Sequence, residues 1–146
     1  MLDSFAAVRV LVVDDHDPFR RFVCATAGER PKVQVIGEAR DGLQAVQKAG
    51  ELRPDLILLD IGLPVLNGIE AAHRISKLVP GATILFVSQY NDADVVGTAL
   101  SNGAKGYVLK GDVGTELLPA IEAALRGEHF VSTGVTRFPQ RLSPNQ

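Results

Sequence analysis

The sequence predicts an α/β domain built on a five-stranded, parallel, doubly wound sheet. Five apolar, β-branched runs of strand length recur along the chain, segments with helical spacing of apolar residues separate them, and the connections between them are short. Parallel strands covered on both faces read as near-continuous apolar runs, and right-handed crossovers put helices on both sides of such a sheet. At 146 residues, with 46% hydrophobic and 22% charged residues, the chain fits one domain around one core and has no room for a second full domain.

The strands are expected at Val8 to Val13, Val33 to Ile36, Leu56 to Leu59, Thr83 to Val87 and Gly106 to Leu109. The first helix opens at Asp17-Pro18, an N-cap followed by proline at the first helical position, and sets Phe19, Phe22, Val23 and Thr26 on one face. Asp41 is the expected cap of the second, which carries Leu43, Val46 and Ala49 at the helical spacing of an apolar face, and the third follows Asn67 with Ile69, Ala72 and Ile75 inward. The fourth follows Asn91 or Asp92, runs through Val95, Val96, Ala99 and Leu100, and stops at Gly103. The fifth stripes Val113, Leu117, Ile121, Ala124 and Leu125 and ends near Gly127. Pro119 interrupts that pattern, so the helix is expected to begin near Thr115 or to be kinked there.

Composition narrows the function classes. A net charge of −2 gives no basic field, so direct nucleic-acid binding by this chain is not expected. The N-terminus, MLDSFAAVRVLVV, places Asp3 and Arg9 in the wrong order for a signal peptide, and no apolar run approaches a membrane span. Cytoplasmic location is the default expectation. One cysteine, Cys24, rules out an intramolecular disulfide and falls among apolar helix positions, as a core thiol would. His16, His73 and His129 share no ligand spacing for zinc, and no glycine-rich phosphate loop follows any strand.

Open parallel sheets hold their sites outside the carboxyl ends of the strands. Here strand one ends in Asp14-Asp15, strand three in Asp60, strand four in Ser88 and strand five in Lys110. Taken singly, each is more often a turn residue, a cap or a solvated charge, and Tyr107 is more often sheet packing. Four strand ends agreeing at once carry the signal. Three carboxylates at one rim need a compensating cation, and an all-oxygen cluster selects a hard divalent ion such as magnesium. Lys110 supplies a point charge and Ser88 a donor for phosphate oxygens, while a carboxylate such as Asp60 is a recognised nucleophile for phosphoryl transfer.

The segments VLVVDDHDP, DLILLDIGLPVLNGIEA, ILFVSQYND and GAKGYVLKGD resemble the receiver domain of two-component response regulators over residues 8 to about 132. The run GAKGYVLKGDVGTELLPAIEAALRGEHFVS is similar to the subfamily whose receivers usually precede a helix-turn-helix of the nitrate-regulator type. The resemblance implies a (βα)5 flavodoxin-like fold with strand order 2-1-3-4-5 and a receiver over residues 1–128, with 129–146 as a tail or truncated linker. It implies that Asp60 accepts a phosphoryl group from a sensor histidine kinase or phosphotransfer protein. It further implies that Asp15, Asp60 and the Gly62 carbonyl ligate magnesium, that Asp14 holds it through water, and that Lys110 pairs with the phosphoryl oxygens. Ser88 and Tyr107 would be the switch pair, changing the surface of the fourth helix, fifth strand and fifth helix. Homodimerisation through that face is an expectation from the family alone. No conventional turnover is implied beyond the domain's own phosphotransfer and autodephosphorylation.

Two positions depart from the family pattern. Gln89 stands where a small residue is usual, and Tyr90 lies two beyond Ser88, as the side-chain-free Gly62 lies two beyond Asp60. Gln89 and Tyr90 are therefore expected to control access to the site. A phospho-independent protein-binding module and a haloacid-dehalogenase-type phosphatase remain as alternatives; Asp15 to Asp17 (DHD) fits the latter's first-strand pair, although Phe19 does not suit its motif. The tail HFVSTGVTRFPQRLSPNQ has two prolines and no helical period, as a frayed terminus would, and is too short for a three-helix DNA-binding domain.

Overall fold

A computed structural model describes residues 7–135. The five apolar runs form strands β1 (Val8–Val13), β2 (Val33–Ala39), β3 (Leu56–Leu59), β4 (Thr83–Ser88) and β5 (Gly106–Leu109). They alternate with α1 (Asp17–Ala27), α2 (Gly42–Leu52), α3 (Gly68–Leu78), α4 (Ala93–Ser101) and α5 (Val113–Leu125). The strands lie in the order β2-β1-β3-β4-β5, all parallel, and β6 (Phe130–Val131) adds a short sixth strand beside β5. None of the described helices is long and apolar enough to cross a membrane.

Alternation along the strands sorts the core into two layers. Leu11, Val13, Ile57, Leu59, Phe86 and Tyr107 face α2, α3 and α4. Val10, Val12, Leu56, Leu58, Val87 and Val108 face α1 and α5. Strand β2 runs three residues beyond its expected end, because a bulge at Ile36 shifts the register so that Leu11 pairs with Gly37.

Several helix expectations need correction. The cap of α1 is His16, whose Nδ1 accepts from the Phe19 amide at 3.3 Å; the Asp17 carboxylate is instead taken by Arg20 and Arg40. Phe22, expected inward, is 47% exposed, since the buried row of α1 runs Arg20, Val23 and Ala27 and leaves Phe22 to lean on Phe19. Leu43 is likewise 51% exposed, while Ala45 and Ala49 face the sheet. That face of α2 must be small: a Cβ at Gly42 would lie 1.8 Å from the Leu66 carbonyl oxygen. Cys24 is half-buried, and burial pushes its thiol pKa up to about 11, as befits a packing residue.

Helix α5 starts at Val113, fed by a 3-10 turn at Lys110–Asp112, and runs through Pro119. Pro119 and Thr115 are both exposed, so water can take the carbonyl that proline leaves without a donor. Asp92, rather than Asn91, caps α4, and Gly103 (φ 91°) ends it in the left-handed conformation expected of glycine.

The chain also continues past the expected edge of the domain. The Ser132 amide donates to the Tyr107 carbonyl, the Ser132 hydroxyl accepts from the Leu109 amide at 2.9 Å, and Val135 is buried in the layer that contains Tyr107. The prolines of the tail and the final LSPNQ lie outside the described residues.

Val65 holds φ at 69°, a conformation that costs a β-branched residue about 1–3 kcal/mol. Its side chain is 77% exposed, so no packing offsets the cost. Asparagine tolerates this region better, and Val65→Asn is expected to stabilise the protein by about 1 kcal/mol. The check is a higher urea midpoint at unchanged slope.

Candidate functional site

Parallel register carries the strand ends to one rim. Val13 pairs with Leu59, which sets Asp14 beside Asp60, and the Asp60 amide donates to the Val13 carbonyl at 3.1 Å. Ser88 pairs with Leu109, which brings Lys110 in from the far side. Asp14 and Asp60 are only 3% and 5% exposed, whereas Asp15 stands in solvent. The Lys110 ammonium bridges the buried pair, 2.8 Å from Asp14 Oδ2 and 3.1 Å from Asp60 Oδ2, and lies 4.8 Å from the centre of the Phe19 ring.

These contacts set the electrostatics. Burial raises the Asp60 pKa above the ordinary carboxylate value; Lys110 opposes that shift and the neighbouring Asp14 adds to it. For Lys110, burial works against the ammonium, but Asp14 and Asp60 outweigh it and hold its pKa above normal. One lysine cannot neutralise three carboxylates. Asp14, Asp15 and Asp60 can each offer an oxygen within 4.8 Å of the others, a hard, anionic donor set that suits a divalent cation such as magnesium. The cavity above them has a volume of about 440 Å³ and is lined by Asp15, His16, Phe19, Asp60, Gly62, Gln89, Tyr90 and Lys110.

Behind this cavity, two side chains grip one peptide segment. The Tyr90 amide donates to Ser88 Oγ at 3.3 Å, and the Tyr107 hydroxyl donates to the Tyr90 carbonyl at 2.8 Å. Tyr107 is wholly buried, its ring tilted against Phe86 at 6.2 Å, and burial raises the pKa of its hydroxyl. Ser88 is buried as well. The Tyr90 ring lies against Gly62, where a Cβ would meet its hydroxyl at 3.3 Å.

The sequence profile of the response regulator receiver domain matches residues 10–122. The chain belongs to the response regulator receiver family. The receiver is 38% identical over 121 residues to the transcriptional regulatory protein LiaR of Bacillus subtilis (strain 168), covering 83% of this chain and 57% of that protein. It is 38% identical over 128 residues to the nitrate/nitrite response regulator NarL of Escherichia coli (strain K12), covering 87% of this chain and 59% of NarL. The chain thus spans somewhat more than half the length of these curated relatives. Among solved structures, a LuxR-family two-component response regulator from Aurantimonas sp. SI85-9A1 superposes with a TM-score of 0.84 at 33% identity, covering 89% of this chain and 93% of that one. The receiver domain of NarL from Mycobacterium tuberculosis superposes at 0.79 with 32% identity, covering 84% and 99%.

The receiver brings Asp15, Asp60, Gly62, Gln89, Tyr90 and Lys110 around one opening, sets Asp14 within ligating reach of the other two carboxylates, and ties Ser88 and Tyr107 to the main chain of Tyr90. The Asp15–Asp17 pair of the phosphatase reading is split, because Asp17 is bound to Arg20 at 2.7 Å and to Arg40 at 3.4 Å and does not line the cavity. Three residues went unassigned from sequence. Phe19, read only as part of an apolar helix face, lines the cavity; His16, read as lacking zinc-ligand spacing, caps α1; and Arg20 reaches the loop of the acidic pair. An arginine in one helical row with Val23 and Ala27 was the available signal for the last.

Proposed function

We propose that this receiver is a phosphorylation-dependent signalling switch with Asp60 as phosphoacceptor. The observation that carries the reading is the Lys110 ammonium held between the Asp14 and Asp60 carboxylates at the mouth of a pocket with a third carboxylate. A sensor histidine kinase or phosphotransfer protein would supply the phosphoryl group. One Asp60 oxygen forms the new P–O bond as the P–N bond of the donor phosphohistidine breaks, and the departing imidazole takes its proton from solvent. Magnesium, held by Asp14, Asp15, Asp60 and the Gly62 carbonyl, would offset charge on the phosphoryl oxygens. Lys110 moves its hydrogen bond from the carboxylate to those oxygens without changing its own charge.

Ser88 and Tyr107 are suited to the switch because both bind the main chain of Tyr90. If Ser88 turns toward a phosphoryl group, the Tyr90 amide loses its acceptor and the loop before α4 must follow. The output is then a changed surface on α4, β5 and α5, with a second copy of the chain as its expected partner. A phospho-independent binding module is the second reading, favoured by Gln89, which lines the cavity over Asp60 where a small residue would leave the carboxylate open.

The test is incubation with magnesium and acetyl phosphate or beryllium fluoride, followed by mass and amide spectra, with Asp60→Asn as control. A mass adduct and shifts near Ser88 and Tyr107 are expected. No adduct and no shift would leave only the second reading. Gln89 and Tyr90 both border the opening through which water must approach, so changing both to alanine is expected to shorten the life of the phosphorylated form severalfold. An unchanged decay rate, followed by intact mass, refutes their gating role.

A further inference from the structure

We propose that Arg20 is a positioning residue: it fixes the peptide that joins Asp14 to Asp15 and so sets the affinity of the acidic site for a divalent cation. The inference rests on the reading of that site as metal-assisted. Arg20 sits in the inward row of α1 and is 5% exposed. Its guanidinium is held by two carboxylates, Glu38 Oε1 at 2.7 Å from Nε and Asp17 Oδ1 at 2.7 Å from Nη1. Nη1 also donates to the Asp14 carbonyl oxygen at 2.9 Å, in a buried contact.

That carbonyl belongs to the peptide unit between the two acidic residues. A peptide is planar, so holding its oxygen holds the plane from which both Asp14 and Asp15 depart. Asp14 is otherwise secured at every polar group: its amide donates to the Ala39 carbonyl, Oδ1 accepts from the His16 amide at 2.8 Å, and Oδ2 meets Lys110. Asp15 is exposed, and among the described residues no hydrogen bond or ion pair engages its carboxylate. Its direction is therefore inherited from the main chain, which Arg20 holds.

Charge alone predicts the opposite result. Removing a cation beside three carboxylates would tighten binding of another cation, whereas losing the positioning contact weakens it. The experiment is calorimetric titration of the metal-free full chain with magnesium chloride. Arg20→Gln is expected to raise the dissociation constant about tenfold, the scale for residues that orient metal ligands. Arg20→Lys keeps the charge but lacks the planar fork that serves Glu38, Asp17 and the Asp14 carbonyl together, and a smaller loss is expected. Glu38→Gln removes a partner of the guanidinium but leaves its bond to the carbonyl, and should stay within about twofold of the parent.

Asp17 and Glu38 are half-exposed and can be rehydrated, so the fold should survive; amide spectra of the metal-free variants check this. Should Arg20→Gln unfold, Arg20→Lys carries the test alone. Equal or tighter magnesium binding in the Arg20 variants overturns the inference, as does an equal loss in Glu38→Gln, which would make the effect one of general packing. A parent protein that binds no magnesium would sink the metal-assisted reading itself.

Discussion

Replacing Asp60 by asparagine is expected to abolish phosphoryl acceptance from acetyl phosphate and, in the metal-free protein at neutral pH, to raise the thermal midpoint. The first effect follows because the amide is no nucleophile for phosphorus. The second follows from burial, which lifts the Asp60 pKa despite the Lys110 contact. A carboxyl whose folded pKa lies above its unfolded value favours folding while protonated. That contribution is present below the ordinary carboxylate range and is lost as pH rises through the raised value. At pH 7 the charge therefore opposes the fold, and the neutral amide of the Asp60→Asn variant removes the penalty. The gain should disappear near pH 3, where the carboxyl is protonated in both states. Magnesium should reverse the ranking, since a cation at a hundred times its dissociation constant stabilises the parent by about 2.7 kcal/mol and the variant by less. Thermal melts at both pH values, with and without magnesium, decide the matter; a variant less stable than its parent at neutral pH without metal would contradict the electrostatic account.

Gly68→Ala should be the most damaging single methyl in the site. A Cβ there would lie 1.9 Å from the Asp60 carbonyl oxygen and 2.8 Å from the Ile61 Cα, and both are backbone atoms with no side chain to yield. The Gly68 amide also donates to the Ile61 carbonyl at 2.7 Å, so the helix start and the loop after Asp60 cannot part without losing that bond. The expected cost is about 3 kcal/mol, together with weakened magnesium binding because Asp60 is displaced. Gly97→Ala is the matched control. It sits within α4 with open space around its Cβ, so it should stabilise by about 1 kcal/mol. Urea unfolding of both variants should give opposite signs.

What the sequence made legible was periodic or terminal. Apolar runs located the five long strands, and their last residues located the acidic trio, Ser88 and Lys110, because parallel register puts all strand ends at one rim. Helix rotation was less readable. Phe22 and Leu43 were expected inward from hydrophobicity, but close packing favoured a small residue and one arginine with ready partners, so Ala45 and Arg20 took those places beside the expected Ala49. The His16 cap was obscured by Asp17, a better cap by type, because only the fold shows that Arg20 and Arg40 claim its carboxylate. Strand β6 went unseen because two residues have no period, and its stability comes from the Ser132 and Val135 contacts that follow it.

That last segment has a mechanical consequence. The stretch after α5 is stitched to the main chain of Tyr107 and Leu109 and seats Val135 in the same core layer as the tyrosine. A pull or twist applied to the chain beyond Val135 is therefore borne by the strand that holds Tyr107, and a rearrangement at Tyr107 is borne by the departing chain. In a chimera, a junction at Glu128 would sever this linkage, while one placed after Val135 would carry it intact into whatever module is fused there.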